Sequence, residues 1–308
     1  MRENMRKRSI VKAGITLLLA LTMIFGLVAC GGNTPQVDDR GWPTSITIMQ
    51  FPDEGNPRMG QLHDSFRYAL QEHLGIEVNE LLGGEFAVGI EAARAGNLDV
   101  MMVTPMSYFQ AIAVADVEPL VTFSVEAIEN YTTVFITRAD RDDINTLEDA
   151  RGRTFAFVDP ASSSGYMVPA VFLVEEMGLD VDQLVNPGYF FETVAFSGQH
   201  QASIMGILMG DFDVAAVGYP VIGMMGDAID PSELKIIART APIPQPMYVI
   251  RSDLPRDLID AILEFYLQFA DEDYFESLHG SASVRFIRAY HEDYMGMYRM
   301  IQMLGLGS

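Results

Sequence analysis

The sequence predicts an α/β chain folded as two lobes with a ligand cleft between them. Three observations carry this. Short apolar, β-rich runs alternate with stretches of helical period from residue 45 onward. The alternation runs through two series, with β-rich passages at 131–138 and 246–251 where the chain crosses from one to the other. The length, 308 residues, suits about two domains, each able to bury a core.

In the first series, 45–51 reads as a strand. Met59, Leu62, Phe66, Ala69, Leu70 and Leu74 recur on one face of a helix over 57–74, stopped by Gly75. Residues 76–82 are strand-like, and 86–95 form a helix stopped by Gly96. A buried strand over 98–103, a helix over 107–115 and strands over 121–125 and 131–137 follow. The second series opens with a short capped helix at 146–149. It continues as a strand over 154–158, a helix over 162–177 stopped by Gly178 and a strand over 193–196. A helix over 199–209 stopped by Gly210 leads to strands over 213–217 and 235–238. From Leu254 the chain is mostly helical, with Leu258, Ile259, Ile262, Leu263 and Tyr266 on a helical period. This alternation predicts largely parallel sheets. Lobe 1 is expected at 45–133 plus 247–308, and lobe 2 at 134–246.

Charge narrows the function. The chain has 20 Lys+Arg against 42 Asp+Glu, a formal net charge of −22. A nucleic-acid partner is excluded on this ground, because phosphate backbones are held mainly by Lys and Arg. The five His are His63, His73, His200, His279 and His291. None stands at a metal-ligand spacing, no nucleophile-elbow motif occurs, and neither a cofactor nor an enzymatic activity is expected.

Residues 1–29 read as a secretory signal, with Arg2, Arg6, Lys7, Arg8 and Lys12 before a charge-free apolar run. The run ends Leu27-Val28-Ala29-Cys30, and Cys30 is the chain's single cysteine. The pattern resembles a bacterial lipobox, which predicts lipidation of Cys30, a Gly/Asn/Pro/Asp-rich tether over 30–44 and an extracytoplasmic body held at a membrane face.

The segment richest in chemistry is Asp159-Pro160-Ala161-Ser162-Ser163-Ser164-Gly165-Tyr166, which follows a strand and opens a helix. A helix start exposes unpaired N–H groups and a partial positive charge. Ser162, Ser163 and Ser164 add hydroxyl donors, a shell for an oxyanion that needs no Lys or Arg. Gly165 would let the backbone approach a ligand closely. The plainer alternative is one capping Ser with two bystanders.

At this segment the sequence resembles the phosphonate/phosphite solute-binding proteins of ABC transporters. The match runs from Asp159 to Pro169. It continues in Leu98-Asp99-Val100 with Pro105, Ser107 and Tyr108, in Phe196-Ser197-Gly198-Gln199-His200 with Ala202 and Ser203, and in Gly210 with Asp213-Val214-Ala215-Ala216-Val217. The resemblance implies a two-lobed periplasmic-binding-protein-like fold and an ABC permease as partner. It also implies a small phosphonate, phosphite or similar oxyanion as ligand. By motif, Ser162, Ser163, Ser164 and His200 would hold the oxyanion, with Ser107 and Tyr108 on the wall from lobe 1. Phe51 and Tyr219, at the ends of their strands, complete the expected site. Asp53 and Glu54 are read as solvated turn residues. One departure matters: members that bind aminoalkylphosphonates meet the amine with carboxylates, and Gly218-Tyr219-Pro220 holds none. Glu192 and Asp227 are the possible substitutes. A binding protein or surface receptor for another small organic anion is the alternative function.

Overall fold

The structure is a computed structural model, and it describes residues 36–50, 57–82, 86–124 and 131–305. Cys30, Phe51, Asp53 and Glu54 lie outside the described residues. Residues 36–44 belong to a separate unit. There Val37 bridges Pro43, the Asp38 carboxylate accepts from the Arg40 and Trp42 N–H groups, and the Arg40 guanidinium lies 3.8 Å from the Trp42 ring. The described part of the expected tether is thus a hydrogen-bonded turn.

The second unit, 45–308, holds two sheets among its described residues. The strands are β1 (Ser45–Met49), β2 (Glu77–Glu80), β3 (Val100–Val103), β4 (Val117–Phe123), β5 (Thr133–Arg138), β6 (Thr154–Phe157), β7 (Thr193–Phe196), β8 (Val214–Gly218), β9 (Leu234–Arg239), β10 (Met247–Arg251) and β11 (Phe286–Arg288). The first sheet has the order β11-β4-β10-β3-β1-β2, and the second β7-β6-β8-β5-β9. The chain therefore passes to the second sheet between β4 and β5 and returns between β9 and β10.

The helices are α1 (Pro57–Leu74), α2 (Phe86–Arg94), α3 (Pro105–Val114), α4 (Val168–Met177), α5 (His200–Met209), α6 (Tyr219–Met224), α7 (Arg256–Gln268), α8 (Glu272–His279) and α9 (Tyr298–Met303). α1 spans the predicted 57–74 because its apolar residues share one face. Met59, Phe66, Leu70 and Leu74 are all buried there. Phe66 stacks on Tyr274 of α8 (5.5 Å) and meets Tyr266 of α7 edge-on (5.1 Å), so one face of the first sheet is sealed by an aromatic cluster.

The expectation of largely parallel sheets is corrected. β1 with β2 and β3, and β6 with β7 and β8, are parallel. β10 runs antiparallel to β3 and β4, and β5 antiparallel to β8 and β9. Parallel neighbours need a crossover helix between them. β5 and β10 enter their sheets directly from the other lobe and take the reversed direction. β11 is a second correction, because helix was expected there. Its Phe286 pairs with Phe123 on the edge of β4 and fills the aromatic cluster, 5.0 Å from Tyr266. A tertiary contact overrides the local helical pattern.

Because β3, β6, β7 and β8 each end where a helix begins, Thr104, Ser162 to Ser164, His200 and Tyr219 all follow strand C-termini. That is where open α/β sheets place ligand loops.

Candidate ligand-binding site

The serine run turns out to divide its labour. Asp159 Oδ1 accepts from Ala161 N–H (2.6 Å) and shapes the turn out of β6. Ser162 caps the helix, its Oγ accepting from Gly165 N–H at 3.0 Å. Ser163 reaches the other lobe, its Oγ accepting from Met106 N–H in the first turn of α3 at 2.7 Å. Ser164 faces the cavity between the lobes. The helix opens with a wide turn in which Met167 N–H bonds to Ser162 O and Val168 N–H to Ser163 O, each five residues back. Such widened turns recur at functional sites.

Ser164 Oγ is the meeting point. Tyr131 O–H donates to it at 3.2 Å, and His200 Nε2 lies at 3.4 Å. Gly218 N–H donates to His200 Nδ1 at 3.1 Å, so the imidazole proton sits on Nε2 and points to Ser164. Burial pushes the His200 pKa down to about 4, so the ring is a neutral donor at pH 7. With both acceptor directions of Ser164 Oγ engaged, its hydroxyl hydrogen is left to donate onward. Gly218 also makes room, since a Cβ there would stand 3.0 Å from Ser164 Oγ.

Other expected residues are placed differently. Gly165 does not line the cavity. A Cβ on it would lie 2.4 Å from Val158 Cβ, so the glycine serves helix-on-strand contact in place of ligand approach. Ser107 is fully buried and closes a capping box with Thr104, its Oγ accepting from Thr104 N–H at 2.8 Å. Tyr108 is only 2% exposed and packs on Phe109 and Tyr294, its hydroxyl 2.7 Å from His291 Nδ1. Neither is among the cavity-lining residues, although both follow β3 as expected. Tyr219 does line the cavity, with the Arg239 guanidinium 3.9 Å from its ring. Glu192 and Asp227 are exposed and are not among the cavity-lining residues.

The cavity measures about 450 Å³. It joins Ser164, His200, Tyr131 and Tyr219 to Thr104 of the first lobe, and its wall is mainly carbon. Among the described residues no Lys or Arg lines it, and Glu276 of α8 is its only carboxylate. Sequence reasoning missed Thr104, Tyr131, Gly218 and Glu276. Thr104 and Gly218 each flank a matched segment, which was the available signal. Tyr131 and Glu276 carried none, because long-range packing alone brings them in.

The chain matches the family model for the ABC transporter, phosphonate, periplasmic substrate-binding protein over residues 48–294. The chain belongs to this family. It is similar to the phosphate-import protein PhnD of Mycolicibacterium smegmatis, 27% identical over 275 residues that cover 85% of this chain and 84% of that protein. It is also similar to the phosphonates-binding periplasmic protein of Escherichia coli, at 23% identity over 66% of this chain and 60% of that protein. The structure of PhnD1 from Prochlorococcus marinus in complex with methylphosphonate superposes with a TM-score of 0.74 at 19% identity. It covers 86% of this chain and 99% of that one. The two-lobed binding-protein fold is therefore that of the family. Members are extracytoplasmic substrate-binding components of ABC transporters, acting with its other components, and are transport proteins in place of enzymes.

Proposed function

We propose that this protein captures a small phosphorus oxyanion, a phosphonate or phosphite, between its lobes and hands it to an ABC permease. The observation that carries the reading is the Ser164, His200 and Tyr131 cluster, three uncharged hydrogen-bonding groups converging at a carbon-walled cavity. A hydrogen bond to a charged group contributes about 1.5–3 kcal/mol, and several acting together outweigh repulsion screened over about 8 Å at physiological salt. The carbon wall favours an oxyanion with hydrogen or alkyl in place of one oxygen. Phosphate would bury an oxygen there without a partner, at a cost of about 1–3 kcal/mol.

A melting-shift screen over phosphite, phosphate, methylphosphonate and aminoethylphosphonate tests this. Phosphate is included because one relative bears a phosphate-import name. A ligand at 100 times its Kd adds about 2.7 kcal/mol of stability. A phosphonate or phosphite is expected to raise Tm more than phosphate does. No shift with any of the four would reject the reading.

The lipobox resemblance supports a second part of the proposal, in which Cys30 is lipidated and anchors the protein outside the cell membrane. Cys30→Ala is expected to move the protein from the membrane fraction to the soluble one. Unchanged fractionation would count against the anchor.

A further inference from the structure

The two lobes touch on two sides of the cavity, which stays partly open to solvent and is larger than a bare oxyanion needs. On one side Thr104 Oγ1 donates to Ala161 O at 3.0 Å beside the Met106–Ser163 bond. On the other, α6 of the second lobe packs on α8 of the first. About 450 Å³ remains between them. An oxyanion head of four or five heavy atoms displaces about three waters, roughly 90 Å³ at about 30 Å³ each. The surplus volume is bounded chiefly by carbon, from Phe86, Met102, Val221, Ile222, Pro246 and Leu278. Water is held poorly against such walls, and an apolar substituent is held well.

Gly223 points to where a substituent would run. It lies within α6 and lines the cavity, and a Cβ built on it meets no atom within 4 Å. Glycine is a poor helix former at an interior position, so the fold itself does not favour it there. Gly223 is exposed, so a side chain there would stand in the open part of the cleft.

We infer that the preferred ligand is an organic phosphonate with an apolar arm of several carbons, and that Gly223 sets the room available to that arm. This rests on the oxyanion reading above and narrows it. The head group occupies the Ser164 and His200 end. The arm lies along Met102, Ile222 and Leu278. Selectivity over phosphite and methylphosphonate then comes from apolar area buried by the arm, while the donors treat every member of the class alike.

Calorimetric titration of the full-length protein with phosphite, methylphosphonate, propylphosphonate and hexylphosphonate tests the inference. Hexylphosphonate is expected to bind at least about tenfold more tightly than methylphosphonate, since each buried methylene favours binding. Gly223→Phe and Gly223→Leu are expected to abolish that advantage while methylphosphonate affinity stays within about twofold. Retained methylphosphonate binding also reports that the variants fold. Equal or tighter binding of methylphosphonate or phosphite by the wild type overturns the inference and leaves the oxyanion reading standing. So does a hexyl advantage that survives in both variants. Absence of binding across the whole series overturns the oxyanion reading itself, and this inference with it.

Discussion

Ser164 is the residue on which the site turns. Its Oγ takes donors from Tyr131 and His200, which leaves its own hydrogen to meet the guest in the proposed function. Ser164→Ala is expected to weaken methylphosphonate binding at least about tenfold, about 1.4 kcal/mol, in calorimetric titration, and also to lower Tm, because Tyr131 and His200 lose a buried partner. Ser163 differs, because its hydroxyl accepts from Met106 N–H across the lobes. His200 carries a pH signature shared with His279. Burial pushes both pKa values down to about 4, against 6.5 for a free imidazole. As pH falls from 6.5 toward 4 the unfolded chain takes up protons that the folded one refuses. Stability is therefore full above 6.5, declines across that window and levels off below 4. Each pKa unit amounts to about 1.4 kcal/mol. His200→Gln should lose less stability than wild type between pH 7 and 4.5, measured by denaturant titration at each pH. Parallel curves would contradict a buried neutral imidazole.

At the scale of elements, the join between β6 and the serine helix is built on a close approach. Gly165 sits where a Cβ would lie 2.4 Å from Val158 Cβ. Gly165→Ala is expected to destabilise the fold by about 1–3 kcal/mol through overpacking, and Val158→Ala in the same chain should restore part of the loss. An unchanged Tm in the single variant would refute that packing. Much of this level was legible in the residues. α1 was readable to its ends because an apolar face runs from Met59 to Leu74 and Gly75 stops it. α4 and α5 were readable because Gly178 and Gly210 stand in the left-handed region at their ends, with φ of 65° and 83°. Strand direction was not legible, because period-two patterning is the same for β10 whether it runs with β3 or against it. Nor was the fate of Tyr108. Its hydroxyl partner His291 lies 183 residues away, and no local spacing announces such a contact.

For the whole molecule, the chain carries a net charge of −22 yet belongs to a family that binds anions. The structure suggests how these coexist. Among the described residues the cavity lining holds no Lys or Arg, and its polar groups at the Ser164 end are neutral. In the proposed function short-range dipoles in fixed positions do the holding, and the long-range field is screened within about 8 Å at physiological salt. The family's motifs pointed to Ser164 and His200, which do meet at the cavity, but not to the separate tasks of Ser162, which caps the helix, and Ser163, which accepts from Met106 N–H. The cavity's size and its carbon walls were not legible, since they arise from how α6 and α8 meet across the cleft.

The most direct test of uncharged capture is the salt dependence of methylphosphonate affinity. Titrations at rising ionic strength are expected to give a Kd that stays level or tightens, because added salt screens repulsion from the acidic surface and has no attractive ion pair to weaken. A Kd that rises steeply with salt would show that cations hold the ligand, and would contradict the account.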